Sequence, residues 1–208
     1  IAKRNYNSIN IRISAGAFNI SETLELAGET NKGKSINLIG ETASLSSQHG
    51  SSLRWIGNKG KSLLHVSNIN LSRIENLDFY GTPSSSLVTN IELRPNIYQL
   101  VIRNCTFKGC EGPNSVNINI NRGNNIQVSE IQIENCTFHG VATKDVKFLT
   151  ESAIAGGLAN TKNFYIKNCS FLGYNKSAID IDVSDAIVIE NNTFAFNEID
   201  ISCMLCNS

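Results

Sequence analysis

The chain carries IENLDF at 74–79, IRNCTF at 102–107, IENCTF at 133–138, IKNCSF at 166–171 and IENNTF at 189–194. All five share one pattern: Ile, any residue, Asn, any residue, a small polar residue or Asp, then Phe. Their Asn residues, Asn76, Asn104, Asn135, Asn168 and Asn191, are separated by 28, 31, 33 and 23 positions. The mean of about 29 lies in the range of solenoid repeats, and its variation suits coils joined by loops of unequal length. Around the repeats the period is two. SVNININ (115–121), NIQVSEIQIEN (125–135), SAIDIDV (177–183) and IVIENNTF (187–194) alternate apolar with polar residues, as a strand with one face in and one face out does.

A chain that repeats strand, corner, strand without helical crossovers satisfies its backbone by winding each repeat into a coil whose strands pair in parallel with the next. The reading is therefore all-β: a right-handed parallel β-helix of about seven coils, one domain over 1–208 that can equally be a segment of a longer solenoid. Inward Ile, Val, Leu and Phe stack on rungs about 4.8 Å apart. The recurrent Asn takes the corner, where its amide bonds the turn and the equivalent Asn one rung away. Ile133, Phe138, Ile166, Phe171, Ile189 and Phe194 are expected to be buried in these ladders.

Composition agrees. The 208 residues include 28 Asn and 26 Ile against 3 Pro and 1 Met, β-branched strand material mixed with the residue most tolerant of tight turns. Eighteen basic and eighteen acidic residues balance, without the basic excess that favours nucleic acid or an anionic membrane surface. No apolar run approaches the roughly 18 residues of a membrane span, so no membrane insertion is expected.

The IxNCTF and IENNTF units resemble right-handed β-helix repeats of the pectate lyase-like superfamily. The opening segments INIRISAGAFNISETLEL (9–26), INLIGE (36–41), SSLRWIG (51–57) and LLHVSNINLSRIENLDFYG (63–81) are similar to the first coils of pectate lyase-like, polygalacturonase-like and phage tailspike proteins. The resemblance implies the fold over nearly the whole chain and a polysaccharide partner at an extracellular, cell-surface or virion-surface location. It does not fix the activity, because this fold carries lyases, hydrolases, tailspikes and inactive adhesins. The Asn-Thr-Asp, Asp-Asp, Gly-His-Gly and Arg-Ile-Lys segments of polygalacturonase-like hydrolases are absent, and no Arg accompanies the acids as the base of a pectate lyase would.

Aligning Ile91, Ile118, Ile154, Ile179 and Ile199 as inward residues puts Glu92, Asn119, Ala155, Asp180 and Asp200 in one outward row. Arg94, Asn121, Gly157, Asp182 and Ser202 form the next. On this alignment Asp180 and Asp200 lie one rung apart and repel unless a cation, a proton or a basic group intervenes. Three uses stay open: a catalytic acid pair of a lyase or glycoside hydrolase, a Ca²⁺ site, or a solvated face. Ala153, Ala155, Gly156 and Gly157 leave a gap in side chains beside the loop at 139–151. A polysaccharide lying there would meet Asn119, Asn121, Asp182, Lys144 and Lys147. The leading expectation is a polysaccharide-binding β-helix module without assigned catalysis, with a structural segment of a fibre as a further alternative.

Cys105, Cys136 and Cys169 share one repeat position and are expected as buried free thiols, since parallel side chains do not converge on a metal or a disulfide. Cys203 and Cys206 form a lone CxxC. His49, His65 and His139 suggest no catalytic constellation. Strand-like sequence near both ends, without a capping helix, predicts self-association through uncapped solenoid ends.

Overall fold

The structure, a computed structural model, describes residues 8–28, 34–42, 50–57, 62–81, 87–110, 114–120, 127–140, 150–156, 161–183 and 185–205. Seven coils of three strands follow one another. The first holds β1 (Ser8–Ile13), β2 (Gly16–Ile20) and β3 (Leu24–Ala27), and the second β4 (Ser35–Gly40), β5 (Ser51–Trp55) and β6 (Ser62–Ser67). The third holds β7 (Ile69–Glu75), β8 (Leu77–Gly81) and β9 (Thr89–Leu93), and the fourth β10 (Ile97–Arg103), β11 (Thr106–Lys108) and β12 (Val116–Ile120). Next come β13 (Val128–Glu134), β14 (Thr137–His139) and β15 (Ser152–Gly156), then β16 (Thr161–Lys167), β17 (Ser170–Leu172) and β18 (Ser177–Val183). The last coil is β19 (Ile187–Glu190), β20 (Thr193–Ala195) and β21 (Ile199–Leu205).

Strands three apart in sequence pair in parallel, giving three seven-stranded sheets: a first from β1 to β19, a second from β2 to β20 and a third from β3 to β21. This is the right-handed parallel β-helix expected of the repeats. No helix occurs among the described residues, so none there is long and apolar enough to cross a membrane.

The repeat's Phe forms a stack through five coils. Phe79, Phe107, Phe138, Phe171 and Phe194 lie face to face with centroids 5.2, 4.8, 4.9 and 5.1 Å apart. Ile133, Phe138, Ile166 and Phe171 are fully buried. Ile189 and Phe194, expected to be equally buried, are only partly so, because they stand in the outermost described coil with no rung beyond them.

The corner Asn residues all adopt the left-handed backbone conformation, with φ between 52° and 58°, which Asn tolerates better than other non-glycine residues. The Nδ2 of Asn104 donates to Oδ1 of Asn76 at 3.1 Å, the bond expected between equivalent corners, at this one step of the stack. Cys105, Cys136 and Cys169 follow the corner as buried free thiols. Each is directed to the carbonyl two residues earlier, at 3.2–3.3 Å. Burial holds the Cys136 thiol well above its ordinary range, and its contact with Cys136, together with burial, does the same for Cys169.

One regularity departs from simple alternation. Leu71, Gln99, Glu130 and Asn163 occupy equivalent places in the first sheet, all with φ of 49–55°. This kink breaks the period of two, so that Ile97 and Leu100, or Val128 and Ile131, both face inward although three residues apart. β13 therefore carries a phase break inside what the sequence at 125–135 presents as one alternating strand.

Candidate functional site

The outward side chains of the third sheet form one row across all seven strands. Register places Glu25 beside His65, His65 beside Glu92, then Asn119, Ala155, Asp180 and Ser202 in turn. The row is as expected from Glu92 to Asp180, and differs at its end. Ile199 pairs with Ser177, so the last strand is shifted by two residues from the sequence alignment and Asp180 faces Ser202 rather than Asp200. Asp200 instead accepts a hydrogen bond from Asn197 Nδ2 at 3.1 Å, in the turn before its own strand. The two carboxylates are thus not rung neighbours. The Ca²⁺ and acid-pair readings both relied on that juxtaposition. A shift of two preserves which face each residue points to, and for that reason alternation could not reveal it.

Among the described residues no group of three or more His, Cys, Asp or Glu is placed to hold a metal. Asp182 stands opposite Met204 on the outward side of β18. Asn121, Lys144 and Lys147 lie outside the described residues.

A depression of about 260 Å³ opens over the middle of the row. Its floor is Ala155, whose side chain is only a methyl group and leaves the space open, and Asn119 and Asp180 flank it one rung away on either side. Ala153, expected to share the gap, is fully buried. Gly156 has φ of +118° and its missing Cβ would lie 2.0 Å from the Ile120 carbonyl oxygen, so it serves backbone approach. One wall is the ion pair between Lys176 Nζ and Glu151 Oε2, at 2.6 Å. Burial pushes the Glu151 carboxyl up, but the bond from Lys176, the Asn114 backbone N–H and the charge of Lys176 outweigh it, holding the group below its ordinary value. The depression therefore offers a fixed carboxylate, an ammonium, an amide and a second carboxylate around a small apolar floor.

The other half of the row holds a constellation that the sequence did not suggest. His65 Nδ1 lies 2.7 Å from Glu25 Oε1, and since a carboxylate can only accept, the ring carries its hydrogen there. Nε2 is 3.0 Å from Glu92 Oε2 and also 3.0 Å from Arg94 Nη2. A neutral ring accepts from Arg94 at this nitrogen, whereas a protonated ring donates to Glu92. Arg94 Nε stays 3.4 Å from Glu92 Oε1 in either case, and Ser62 Oγ donates to Glu92 Oε2 at 3.1 Å. Extending the alignment of inward residues back to Leu24 and Leu64 would have brought these residues together.

Compared with family models, curated proteins and solved structures, the chain matches none.

Behind the third sheet lies a buried polar network. Asn90 and Asn117 donate to Cys110 Sγ at 3.1 and 3.5 Å, and the buried Tyr174 hydroxyl donates to Asn117 Oδ1 at 2.7 Å. Both Asn side chains are fully buried. They tie β9 and β12 to Cys110 and Tyr174 on the inner side of the sheet whose outer side carries the depression.

Proposed function

We propose that the outer face of the third sheet binds a linear polysaccharide lying along the solenoid axis, and that the chain is a β-helix module of the pectate lyase-like kind working at an extracellular, cell or virion surface. The observation that carries this reading is the straight polar row with a small methyl floor at Ala155, walled by Glu151–Lys176 and flanked by Asn119 and Asp180. Amides and carboxylates at fixed rung spacing suit the hydroxyls of successive sugars, and a small apolar floor suits a pyranose face. A rigid β-scaffold reduces the ordering cost of such binding.

The test is calorimetry of the chain against neutral and acidic polysaccharides, with Ala155→Trp to fill the depression and Asn119→Ala to remove one contact. Loss of tenfold or more in affinity in both variants, with unchanged melting, supports the reading. Equal affinity in Ala155→Trp overturns it. Assays of reducing ends and unsaturated products on the same panel test the alternative that the face is a lyase or hydrolase, with Asp180 and Glu151 as the acids for substitution.

A further inference from the structure

The second sheet carries a different outward column. Asn19, Arg54, Tyr80 and Lys108 are rung neighbours, and the pairing of Phe107 with Phe138 puts His139 next to Lys108. Arg54 Cζ and Lys108 Nζ each lie 5.0 Å from the centroid of the Tyr80 ring, one rung to either side. Two rungs separate the cations, roughly 10 Å at the spacing of strands in a sheet.

Several outward cations on the other two sheets have carboxylates. Lys167 meets Glu190 at 2.8 Å, Lys176 meets Glu151 at 2.6 Å, and Arg103 Nη2 donates to Glu75 Oε2 at 3.3 Å. Arg54 and Lys108 have none among the described residues, and the ring of Tyr80 is their shared partner. Nε of Arg54 is buried without a hydrogen-bond partner. The one acid on β5, β8, β11 and β14, Asp78, stands in the adjacent column opposite Ser52 and Thr106. A ring between like charges holds them apart and orients both through its faces. It does not neutralise them, and among the described residues no carboxylate stands within the column itself. Burial and the charge of Lys108 hold His139 below its ordinary protonation range.

We propose that this column is a binding site for a linear acidic polysaccharide, with anionic groups on every second sugar seated on Arg54 and Lys108 and the intervening sugar over the edge of Tyr80. The two-rung spacing is about the length of two pyranose units. Nucleic acid fits less well, since its phosphates recur about every 3.4 Å of axis per strand and the chain has eighteen acidic residues against eighteen basic ones. The site is on a different sheet from the Asn119–Asp180 row and stands or falls separately from it.

The experiment is calorimetry of the full chain with a sulfated oligosaccharide of disaccharide repeat, its desulfated counterpart and a single-stranded oligonucleotide of equal charge, at several salt concentrations. The sulfated sugar is expected to bind, with affinity falling as salt rises. The Arg54→Gln/Lys108→Gln double variant should lower that affinity at least tenfold and reduce the salt slope by about two, one for each lost contact. Arg73→Gln, on the first sheet, should leave both unchanged. Since a bound anion offsets the Lys108 charge, the NMR titration of His139 should move to higher pH when ligand is present. Equal binding of the desulfated sugar, stronger binding of the oligonucleotide, or full affinity in the double variant overturns the proposal. Should the double variant fail to fold, Lys108→Gln alone decides, because its side chain is exposed; unchanged affinity and slope there overturn the proposal equally.

Discussion

Replacing Phe138 by Ala removes the central ring of the aromatic stack, and its cost can be worked from the neighbours. The ring is fully buried and lies 4.8 Å from Phe107 and 4.9 Å from Phe171. Truncating a buried Phe typically costs about 3–5 kcal/mol through lost transfer energy and the cavity left behind. Each aromatic contact adds about 0.5–1.5 kcal/mol beyond the area buried. With two such contacts and rigid strands on every side that limit collapse, the upper part of the range applies, about 4–5 kcal/mol. Phe194 has one stacked neighbour at 5.1 Å and is partly exposed, so its truncation should cost about 1–2 kcal/mol by the same principles. Urea unfolding followed by the single Trp, the fully buried Trp55 of the second coil, and by far-UV circular dichroism measures both. Coincident transitions establish that the coils unfold as one unit, a condition that repeat arrays do not always meet. With about 2–4 °C of melting temperature per kcal/mol at this length, Phe138→Ala should melt roughly 8–20 °C lower. Equal losses in Phe138→Ala and Phe194→Ala would refute the claim that stacked rings hold the coils together.

Four further outcomes follow from the same geometry. Gly140→Ala should cost on the order of 2–4 kcal/mol, measured by thermal melting, because the added Cβ would lie 1.7 Å from the Gly173 carbonyl oxygen. Folding depresses the protonation of both Glu151 and His139, so each contributes stability that is complete above its unfolded-state value and is lost as pH falls through its folded one. Glu151→Gln should flatten the stability profile below about pH 4.5, and His139→Gln should flatten it below about pH 6.5, in urea titrations across pH. Cys105, Cys136 and Cys169 should resist thiol reagents until denaturant is added, while the exposed Cys203 is labelled first in the native protein, at a rate slowed by the partial burial and the Asp180 and Asp182 charges that hold its thiol above the ordinary range, as mass spectrometry of labelled protein will reveal. Association through the outermost described coils, which expose Ile9, Ile11, Ile199 and Ile201, would set Glu190 of one copy beside Arg12 of the next, in a column that alternates in sign from Glu75 to Glu190. Sedimentation should then show species growing with concentration and weakening in Arg12→Glu; a monomer at every concentration would dispose of the idea.

The five Ile-x-Asn repeats determined the coil, its parallel pairing and its inward ladders, because a stacked residue must be the same kind of residue on each rung and so leaves a copy in every repeat. The corner Asn was equally legible, since few other residues accept its backbone conformation without strain. Only the tertiary structure decided the rest. Leu71, Gln99 and Glu130 take the same left-handed kink as Asn163 although nothing local favours it, because strands stacked in register hold each backbone to the path of its neighbours. The two-residue register of the last strand, which set Ser202 and not Asp200 beside Asp180, was likewise invisible to an alternation of period two. The row of Glu25, His65 and Glu92 was within reach of the inward alignment extended to Leu24 and Leu64, but the contacts of Arg94 with His65 and Glu92 needed the coils to be laid side by side. So did the pairing of Arg54 and Lys108 across Tyr80. Outward residues carry no stacking constraint that marks them in sequence, and their chemistry arises only from which rungs the winding makes adjacent.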